Sequence, residues 1–338
     1  MRNGIMASGN WIIDHVKVID TYPTEGMLTN ITKEYRGTGG APYNVLIDLA
    51  RMKTSVPLYA HGLVGTDADG DFIIRDLAGN GIDNTNMRRV DGATSYTDVM
   101  SVVSTGARTF FHCRGVNAQL CPDDFTGLDV PARIFHIGYL LLLDALDAPD
   151  AEYGVVAARL LSDMSKRGYK TSVDVVSEQG DRFKRIVLPC LKHTDYLILN
   201  EIEAGESTGM VIRRKDGGID AKALERAAAA LLDAGVRELV VIHFPEGGYV
   251  KARGGATAFA PSFQVEQSEI KGTAGAGDAF CAGMLYAIHE GLPLTDALSL
   301  ANASARFNLL SPTCTDGAAA LEELERYRKT ARLRVSVV

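Results

Sequence analysis

Short apolar runs alternate with amphipathic stretches through the second half of this 338-residue chain. The apolar runs have the length of buried strands, and the stretches between them repeat apolar residues at helical spacing. The pattern predicts strands over residues 133–142, 170–176, 196–199 and 238–244, and helices over 151–167, 182–191 and 221–234. Continuous apolar strands separated by helices are typical of a mostly parallel sheet that helices cover on both faces.

The first half of the chain is richer in β patterns. Residues 10–20, 56–64, 95–104 and 108–114 read as strands, and a three-residue connection over 105–107 joins the last two as a hairpin. Helical spacing predicts helices over 42–52 and 67–79, and later over 278–289, 294–309 and 316–327. No internal repeat or low-complexity linker interrupts the chain, so residues 1–338 are predicted to form one domain.

A glycine-rich turn over residues 271–283, K-G-T-A-G-A-G-D-A-F-C-A-G, leads into one of these helices. Gly275, Ala276 and Gly277 leave successive backbone N–H groups unshielded, and such a turn at a helix N-terminus can bind an anion. Asp278 follows in the first helical turn, where a carboxylate suits the helix dipole. One interpretation is a simple cap on a tight turn. The other is a phosphoryl-transfer site, in which the N–H groups stabilise developing charge and Asp278 accepts the proton of the attacking hydroxyl.

Two better-known glycine motifs do not fit this stretch. A Walker A loop needs a lysine after its last glycine, and Asp278 stands there. A dinucleotide-binding turn that starts at Gly275 needs a small residue at position 280, which is Phe280.

The residues G-T-A-G-A-G-D-A-F resemble the D-T-x-G-A-G-D-x-F signature of the ribokinase family of sugar kinases, also called the PfkB family. The resemblance implies a three-layer α/β/α sandwich with a small β-sheet lid, formed by segments near 14–36 and 92–115. It also implies transfer of the γ-phosphoryl group of ATP to a sugar hydroxyl, expected to be a primary CH2OH. In this reading Asp278 is the catalytic base, and Gly275, Ala276 and Gly277 help to form the anion hole.

A second family signature, G-G-x-x-x-N, matches Gly39, Gly40 and Asn44. In the family the glycine backbone and the Asn bind substrate hydroxyls, as does an Asp placed like Asp14. From the residues alone, Asn44 can be a helix cap and Asp14 an acid at a strand end.

The segment 114–118 resembles the place where the lid meets the core in the family. Arg114 and Asn117 are therefore candidates for substrate binding. A structural role for Arg114 on the surface is the alternative.

Asn200 and Glu203 match the family motif N-x-x-E, which orients the magnesium water shell and the nucleotide phosphates. An N-cap with a capping-box Glu explains the same two residues. Asp174, at the end of the preceding predicted strand, is a further pocket candidate. His243 and Gly248 stand in a region that contacts the nucleotide in relatives, although the usual T-x-G-x-x-G is only partly kept.

The remaining cofactor and nucleotide predictions also come from the resemblance. Asn302 lies on a helix that borders the adenine in relatives, and ATP is expected to act with Mg2+. Gly272 replaces the family Asp that helps to hold an activating monovalent cation, which leaves potassium dependence open.

The net charge of −7, with acids and bases mixed along the chain, argues against a nucleic-acid partner. The longest apolar run, over 134–143, is too short to span a bilayer, and the five scattered cysteines suit a reducing compartment. We therefore expect a cytoplasmic protein that binds a small sugar and ATP, with a possible homodimer through the lid. A nucleoside kinase of the same fold, or a catalytically silent sugar- or nucleotide-binding regulator, is the alternative.

Overall fold

The computed structural model describes residues 2–105, 107–178 and 181–335. The described strands are β1 Ile5–Gly9, β2 Ile12–Ile19, β3 Ile31–Gly39, β4 Leu58–Gly65, β5 Asp83–Val90, β6 Ser95–Val102, β7 Arg108–Cys113, β8 Ile134–Leu140, β9 Pro149–Asp150, β10 Gly154–Val155, β11 Lys170–Val175, β12 Tyr196–Asn200, β13 Leu239–Phe244, β14 Gly247–Ala252 and β15 Thr257–Pro261. The described α-helices are α1 Ala41–Arg51, α2 Ala68–Gly79, α3 Val156–Lys166, α4 Arg182–Leu191, α5 Glu201–Thr208, α6 Ala221–Asp233, α7 Ala276–Glu290, α8 Leu294–Asn308 and α9 Leu321–Thr330.

Nine strands form the central sheet in the order β15-β14-β13-β12-β11-β8-β1-β4-β5. Neighbouring strands are parallel from β13 to β5, and β14 and β15 continue the sheet antiparallel. The carboxyl ends of the parallel strands therefore meet along one edge of the sheet, which is where open α/β sheets place their ligands.

Alternate residues of the central strands enter two separate apolar clusters. Leu197 and Leu199 of β12 pack with α3, α4 and α6, whereas Ile198 packs with α1, α7 and α8. Because successive side chains of a strand point to opposite faces, the helices cover both faces of the sheet. The predicted three-layer α/β/α sandwich is confirmed.

A second, four-stranded sheet has the order β3-β2-β6-β7. Its two outer pairs are antiparallel, and the central pair β2 and β6 is parallel. These strands cover the segments predicted to form the lid, so the small sheet is confirmed, whereas its action as a lid stays a prediction. One residue of the predicted hairpin turn, Gly106, lies outside the described residues.

Several predicted elements need correction. The strand predicted over 10–20 is β2, and an unpredicted strand, β1, precedes it in the middle of the large sheet. The helix predicted over 151–167 begins only at Val156, because the residues before it pair as β9 and β10. The predicted last helix begins at Leu321. Strands β5, β14 and β15 were not predicted. Within the described residues, no helix combines the length and the apolar character that a membrane span requires.

Candidate active site

Helix α7 begins at the carboxyl edge of the sheet with the predicted glycine-rich turn. Gly275 is its N-cap and has φ 78°, a left-handed conformation that favours glycine. A Cβ at this position would lie 2.4 Å from the carbonyl oxygen of Cys314. Only glycine therefore allows the turn to approach this neighbouring loop. The first N–H groups of α7 lack partners within the helix, and Ala276 and Gly277 help to line a large cleft.

Two side chains from distant parts of the chain hold the carboxylate of Asp278. The Tyr139 hydroxyl donates to Oδ1 at 2.6 Å, and the Asn44 amide donates to Oδ2 at 2.7 Å. Asp278 is only 5% exposed. Burial raises its pKa to about 6, although both hydrogen bonds act to lower it. The carboxylate is thus largely ionised near neutral pH and fixed in orientation.

Tyr139 lies near the carboxyl end of β8 and is held by Asn10, which follows β1. The Asn10 amide N–H donates to the carbonyl of Gly138 at 2.9 Å, and the Asn10 side-chain oxygen accepts from the Tyr139 N–H. Neither Tyr139 nor Asn10 is among the candidate site residues that the sequence predicts. The residue type alone gives no sign that the hydroxyl meets Asp278.

The predicted sugar-binding residues lie around Asp14 on the small sheet. A Cβ on Gly39 would lie 2.4 Å from Asp14 Oδ1, so glycine leaves room for this carboxylate. The Cys314 thiol donates to Asp14 Oδ2 at 3.5 Å. Burial raises the pKa of Asp14 to about 7. Gly40 has φ 82° and caps α1, and a Cβ there would lie 2.0 Å from the carbonyl oxygen of Asn10.

Asn44 lies in the first turn of α1 and faces Asp278. Its amide nitrogen is used by the carboxylate, while its Oδ1 is buried with no hydrogen-bond partner among the described residues. One turn later Asp48 is 2% exposed, and neither of its carboxylate oxygens has such a partner. The sequence predicted Asn44 as a site residue and missed Asp48.

Arg114 and Asn117 are tied to the protein itself. Arg114 donates to the carbonyl of Leu141 at 3.1 Å and pairs with Asp144 at 2.9 Å. Asn117 is fully buried, and its amide donates to the carbonyl of Trp11 at 3.1 Å. Both contacts are those of structural residues, and substrate binding by either one stays a prediction.

Asn200 and Glu203 form the capping box of α5. Asn200 Oδ1 accepts from the N–H groups of Ile202 and Glu203, and Glu203 Oε2 accepts from the Asn200 N–H at 2.9 Å. The Ser177 hydroxyl donates to Glu203 Oε1 at 2.7 Å. The capping box that the sequence offers is therefore present, and it positions the buried carboxylate of Glu203 beside the cleft.

The acids at this edge of the sheet repel one another, and together they could bind a divalent cation. Burial raises the pKa of Glu203 to about 7 and that of Asp174 well above its ordinary value, and the negative charge of Asp278 raises both further. A cation with its water shell relieves this repulsion, and oxygen donors are what Mg2+ prefers. Asn200, Glu203 and Asp174 are the residues at this edge that could hold such a cation through its water shell.

A cleft of about 990 Å3 opens on the other side of the α7 N-terminus. It is lined by Asn200, His243, Ala276, Gly277 and Asn302, together with the C-terminal residues Leu333, Arg334 and Val335. Its volume is large enough for a nucleotide. A smaller cavity of about 440 Å3 lies at the start of β12 and β13, at the opposite edge of the sheet.

The other predicted nucleotide residues divide into two groups. The His243 ring lies 4.9 Å from the ring of Phe280 and borders Gly277, and burial lowers its pKa to about 4, so it is neutral. Asn302 donates to the carbonyl of Ala260 at 3.0 Å in the wall of the cleft. Gly248 instead packs against the core, since a Cβ there would lie 2.9 Å from the Phe280 ring.

A carboxylate at a helix N-terminus, beside a cleft of nucleotide size, suits phosphoryl transfer, in which a base accepts the hydroxyl proton and backbone N–H groups bind phosphate. The chain matches the pfkB family of carbohydrate kinases over residues 5–320. A deoxyribokinase of Salmonella typhi is 22% identical over 323 residues, which cover 96% of this chain and 98% of the relative.

Two solved structures are similar along their whole length. Arabidopsis thaliana ribokinase, determined with ribose and ATP, has a TM-score of 0.77 and 22% identity, over 97% of this chain and 99% of that one. A putative ribokinase II of E. coli in complex with ATP and Mg2+ has a TM-score of 0.74 and 19% identity, over 97% and 99%. The chain belongs to the pfkB family of carbohydrate kinases. It is an ATP-dependent carbohydrate kinase.

Proposed function

We propose that this kinase transfers the γ-phosphoryl group of ATP to a primary hydroxyl of a sugar, with Asp278 as the general base. The observation that carries the proposal is the position of the Asp278 carboxylate. It lies in the first turn of α7, it is almost fully buried, and two hydrogen bonds fix its orientation. Each oxygen keeps a lone pair for an incoming hydroxyl group.

The surrounding residues supply the other parts of such a reaction. Asp14 and the backbone of Gly39 and Gly40 would hold the sugar hydroxyls, which places one hydroxyl against Asp278. As that oxygen attacks the γ-phosphorus, the bond from phosphorus to the bridging oxygen breaks, ADP leaves, and the hydroxyl proton passes to the carboxylate of Asp278. The N–H groups of residues 275–277 would stabilise the charge that develops on the transferring group. Magnesium, when bound with ATP, neutralises phosphate charge, and Asn200 with Glu203 would orient its water shell.

The raised pKa of Asp278 suits this role. With a pKa of about 6 the carboxylate is mostly ionised at neutral pH, yet it is a stronger base than an exposed aspartate. His243 is neutral and packs against Phe280, so it is a poor candidate for the base.

The test is magnesium-dependent release of ADP from ATP, screened over ketoses, aldoses, sugar phosphates, sugar acids and nucleosides. Asp278→Asn should lower kcat by about 10²- to 10⁴-fold, the usual size for a lost general base, with the fold intact. Asp129→Asn is the control, because Asp129 is exposed and distant from the site.

Near-wild-type turnover of Asp278→Asn would remove the general-base assignment. A nucleoside as the best acceptor would favour a nucleoside kinase instead. Silence over the whole panel, with ATP still bound, would favour a sugar- or nucleotide-binding regulator.

A further inference from the structure

Gly272 stands where relatives of the PfkB family carry the Asp that helps to hold a monovalent cation. The structure shows that no side chain fits at this position. A Cβ on Gly272 would lie 2.6 Å from the carbonyl oxygen of Ser311 and 3.0 Å from Nη2 of Arg108. The donor set for such a cation is therefore incomplete, because the carboxylate is missing and its space is taken.

A backbone carbonyl oxygen and a cation both border this space. Arg108 lies at the start of β7, on the small sheet, and its guanidinium donates to the carbonyl of Pro312 at 3.4 Å. Among the described residues, Arg108 has no carboxylate within ion-pair distance. Burial raises the pKa of Asp14 to about 7, and the positive charge of Arg108 is one of the influences that lower it. The guanidinium charge is thus close enough to act on Asp14, although it forms no ion pair with that carboxylate.

The loop that Arg108 contacts lies directly behind the anion hole. A Cβ on Gly275 would lie 2.4 Å from the carbonyl oxygen of Cys314 and 2.7 Å from its Cα. Gly272 and Gly275 therefore both touch the loop over 311–314, and Arg108 places a positive charge on its outer side. Backbone carbonyl oxygens can replace the hydration shell of K+. They also accept readily from a guanidinium, which is weakly hydrated and always charged.

We propose that Arg108 supplies, as a built-in guanidinium, the positive charge that a monovalent cation would supply beside the anion hole. The enzyme then needs no monovalent cation for phosphoryl transfer. Arg108 acts on the reaction indirectly, through its contact with the loop over 311–314 and through the electrostatic field of its charge. It is therefore a positioning residue. The proposal rests on the proposed function, since it concerns the same anion hole.

The first experiment compares initial rates in KCl, NaCl, CsCl and tetramethylammonium chloride at constant ionic strength. Equal rates in all four salts are expected for the wild-type enzyme. Arg108→Ala should lower kcat by about tenfold or more in tetramethylammonium, because one fixed charge near the developing negative charge is lost. KCl or guanidinium chloride should restore much of that rate, and Arg108→Lys should keep more activity than Arg108→Ala.

Lys33→Ala is the matched control, because it removes a positive charge from an exposed position of the same small sheet. The rate of Lys33→Ala should be the same in all four salts and equal to that of the wild-type enzyme. Strong activation of the wild-type enzyme by K+ would overturn the proposal. A wild-type rate of Arg108→Ala in tetramethylammonium would also overturn it.

A second measurement needs no acceptor sugar and so separates this proposal from the proposed function. The thermal midpoint is followed with MgATP in KCl and in tetramethylammonium chloride at equal ionic strength. The wild-type midpoint should be the same in both salts. Arg108→Ala should be stabilised by K+, since the guanidinium no longer occupies the space beside the carbonyl oxygen of Pro312. Specific stabilisation of the wild-type enzyme by K+ contradicts the proposal even if no acceptor is found.

Discussion

Removal of the Tyr139 hydroxyl should change the pH dependence of catalysis more than its maximal rate. In Tyr139→Phe the Asp278 carboxylate loses its 2.6 Å hydrogen bond and keeps the bond from Asn44. A hydrogen bond to a charged group is worth about 1.5–3 kcal/mol, and one pKa unit corresponds to about 1.4 kcal/mol. The pKa of Asp278 should therefore rise by roughly one to two units from its value of about 6.

The direction of the pKa change follows from the protonation state of Asp278 that the Tyr139 hydroxyl stabilises. Tyr139 donates to the ionised carboxylate, so its loss favours the protonated form, which cannot act as a base. At neutral pH the ionised fraction should fall from about nine-tenths to between roughly a half and a tenth. At high pH the carboxylate is ionised again, and the rate should return towards that of the wild-type enzyme.

The assay is kcat against pH for the acceptor found by screening, with a coupled measurement of ADP. We expect the acid limb of Tyr139→Phe to move to higher pH. Tyr169→Phe is the control, because that buried hydroxyl donates to the carbonyl of Val130 at the opposite edge of the sheet. A uniform loss of rate at every pH, with the acid limb unmoved, would refute the claim that Tyr139 sets the pKa of Asp278.

Two further predictions concern the buried acids. Glu203→Gln should weaken the apparent affinity for Mg2+ by about 10- to 100-fold, as measured by magnesium titration of the rate, because the outer shell loses its charge. The thermal midpoint should change little, and Glu206→Gln on the exposed face of α5 should change neither quantity. Asp278→Asn should be more stable than the wild-type enzyme at about pH 8, with a gain of up to about 3 kcal/mol over that at about pH 4. The native pKa of about 6 lies above the ordinary 3.8, so wild-type stability falls as pH rises through this window. Urea unfolding at both pH values measures the difference, and an equal gain at both would contradict it.

The local parts of the site are visible in the sequence. The turn at Gly275, the helix that carries Asp278, and the cap formed by Asn200 with Glu203 each depend on residues within a few positions of one another. Glycine, capping residues and helical spacing report on such short segments. The strands β8, β11, β12 and β13 were predicted for the same reason, since each is a continuous apolar run.

The contacts that complete the site join distant segments. Tyr139 is 139 positions from Asp278, and Asn44 is 234 positions from it. The order of strands in the sheet brings these residues together, and hydrophobic periodicity does not give that order. From the sequence, Arg108 is one residue of a predicted hairpin. Its contact with the loop over 311–314 becomes visible only in the folded structure, where the small sheet lies beside that loop.

Strand β1 was missed for a different physical reason. Its residues Ile5–Gly9 are all buried, so they show no alternation of apolar and polar side chains. Its Ala, Ser and Gly residues are also weak strand formers. The position of β1 in the middle of the sheet, between β8 and β4, decides that it forms a strand.

The most unusual property of the site is its set of buried acids without a basic partner. Asp14, Asp174, Glu203 and Asp278 are close to the same edge of the sheet, and burial is the largest influence that raises the pKa of each. Among the described residues, none of the four forms an ion pair with a Lys or Arg side chain. Buried charges without partners reduce the free energy of unfolding, so stability alone gives no reason to keep them. They are explained if the positive charge arrives with the ligands. A magnesium ion would serve Asp174 and Glu203, the positive charge of Arg108 would offset Asp14, and the proton of the acceptor hydroxyl would neutralise Asp278 during transfer. On this argument MgATP should stabilise the enzyme most at alkaline pH, where the acids repel one another most strongly.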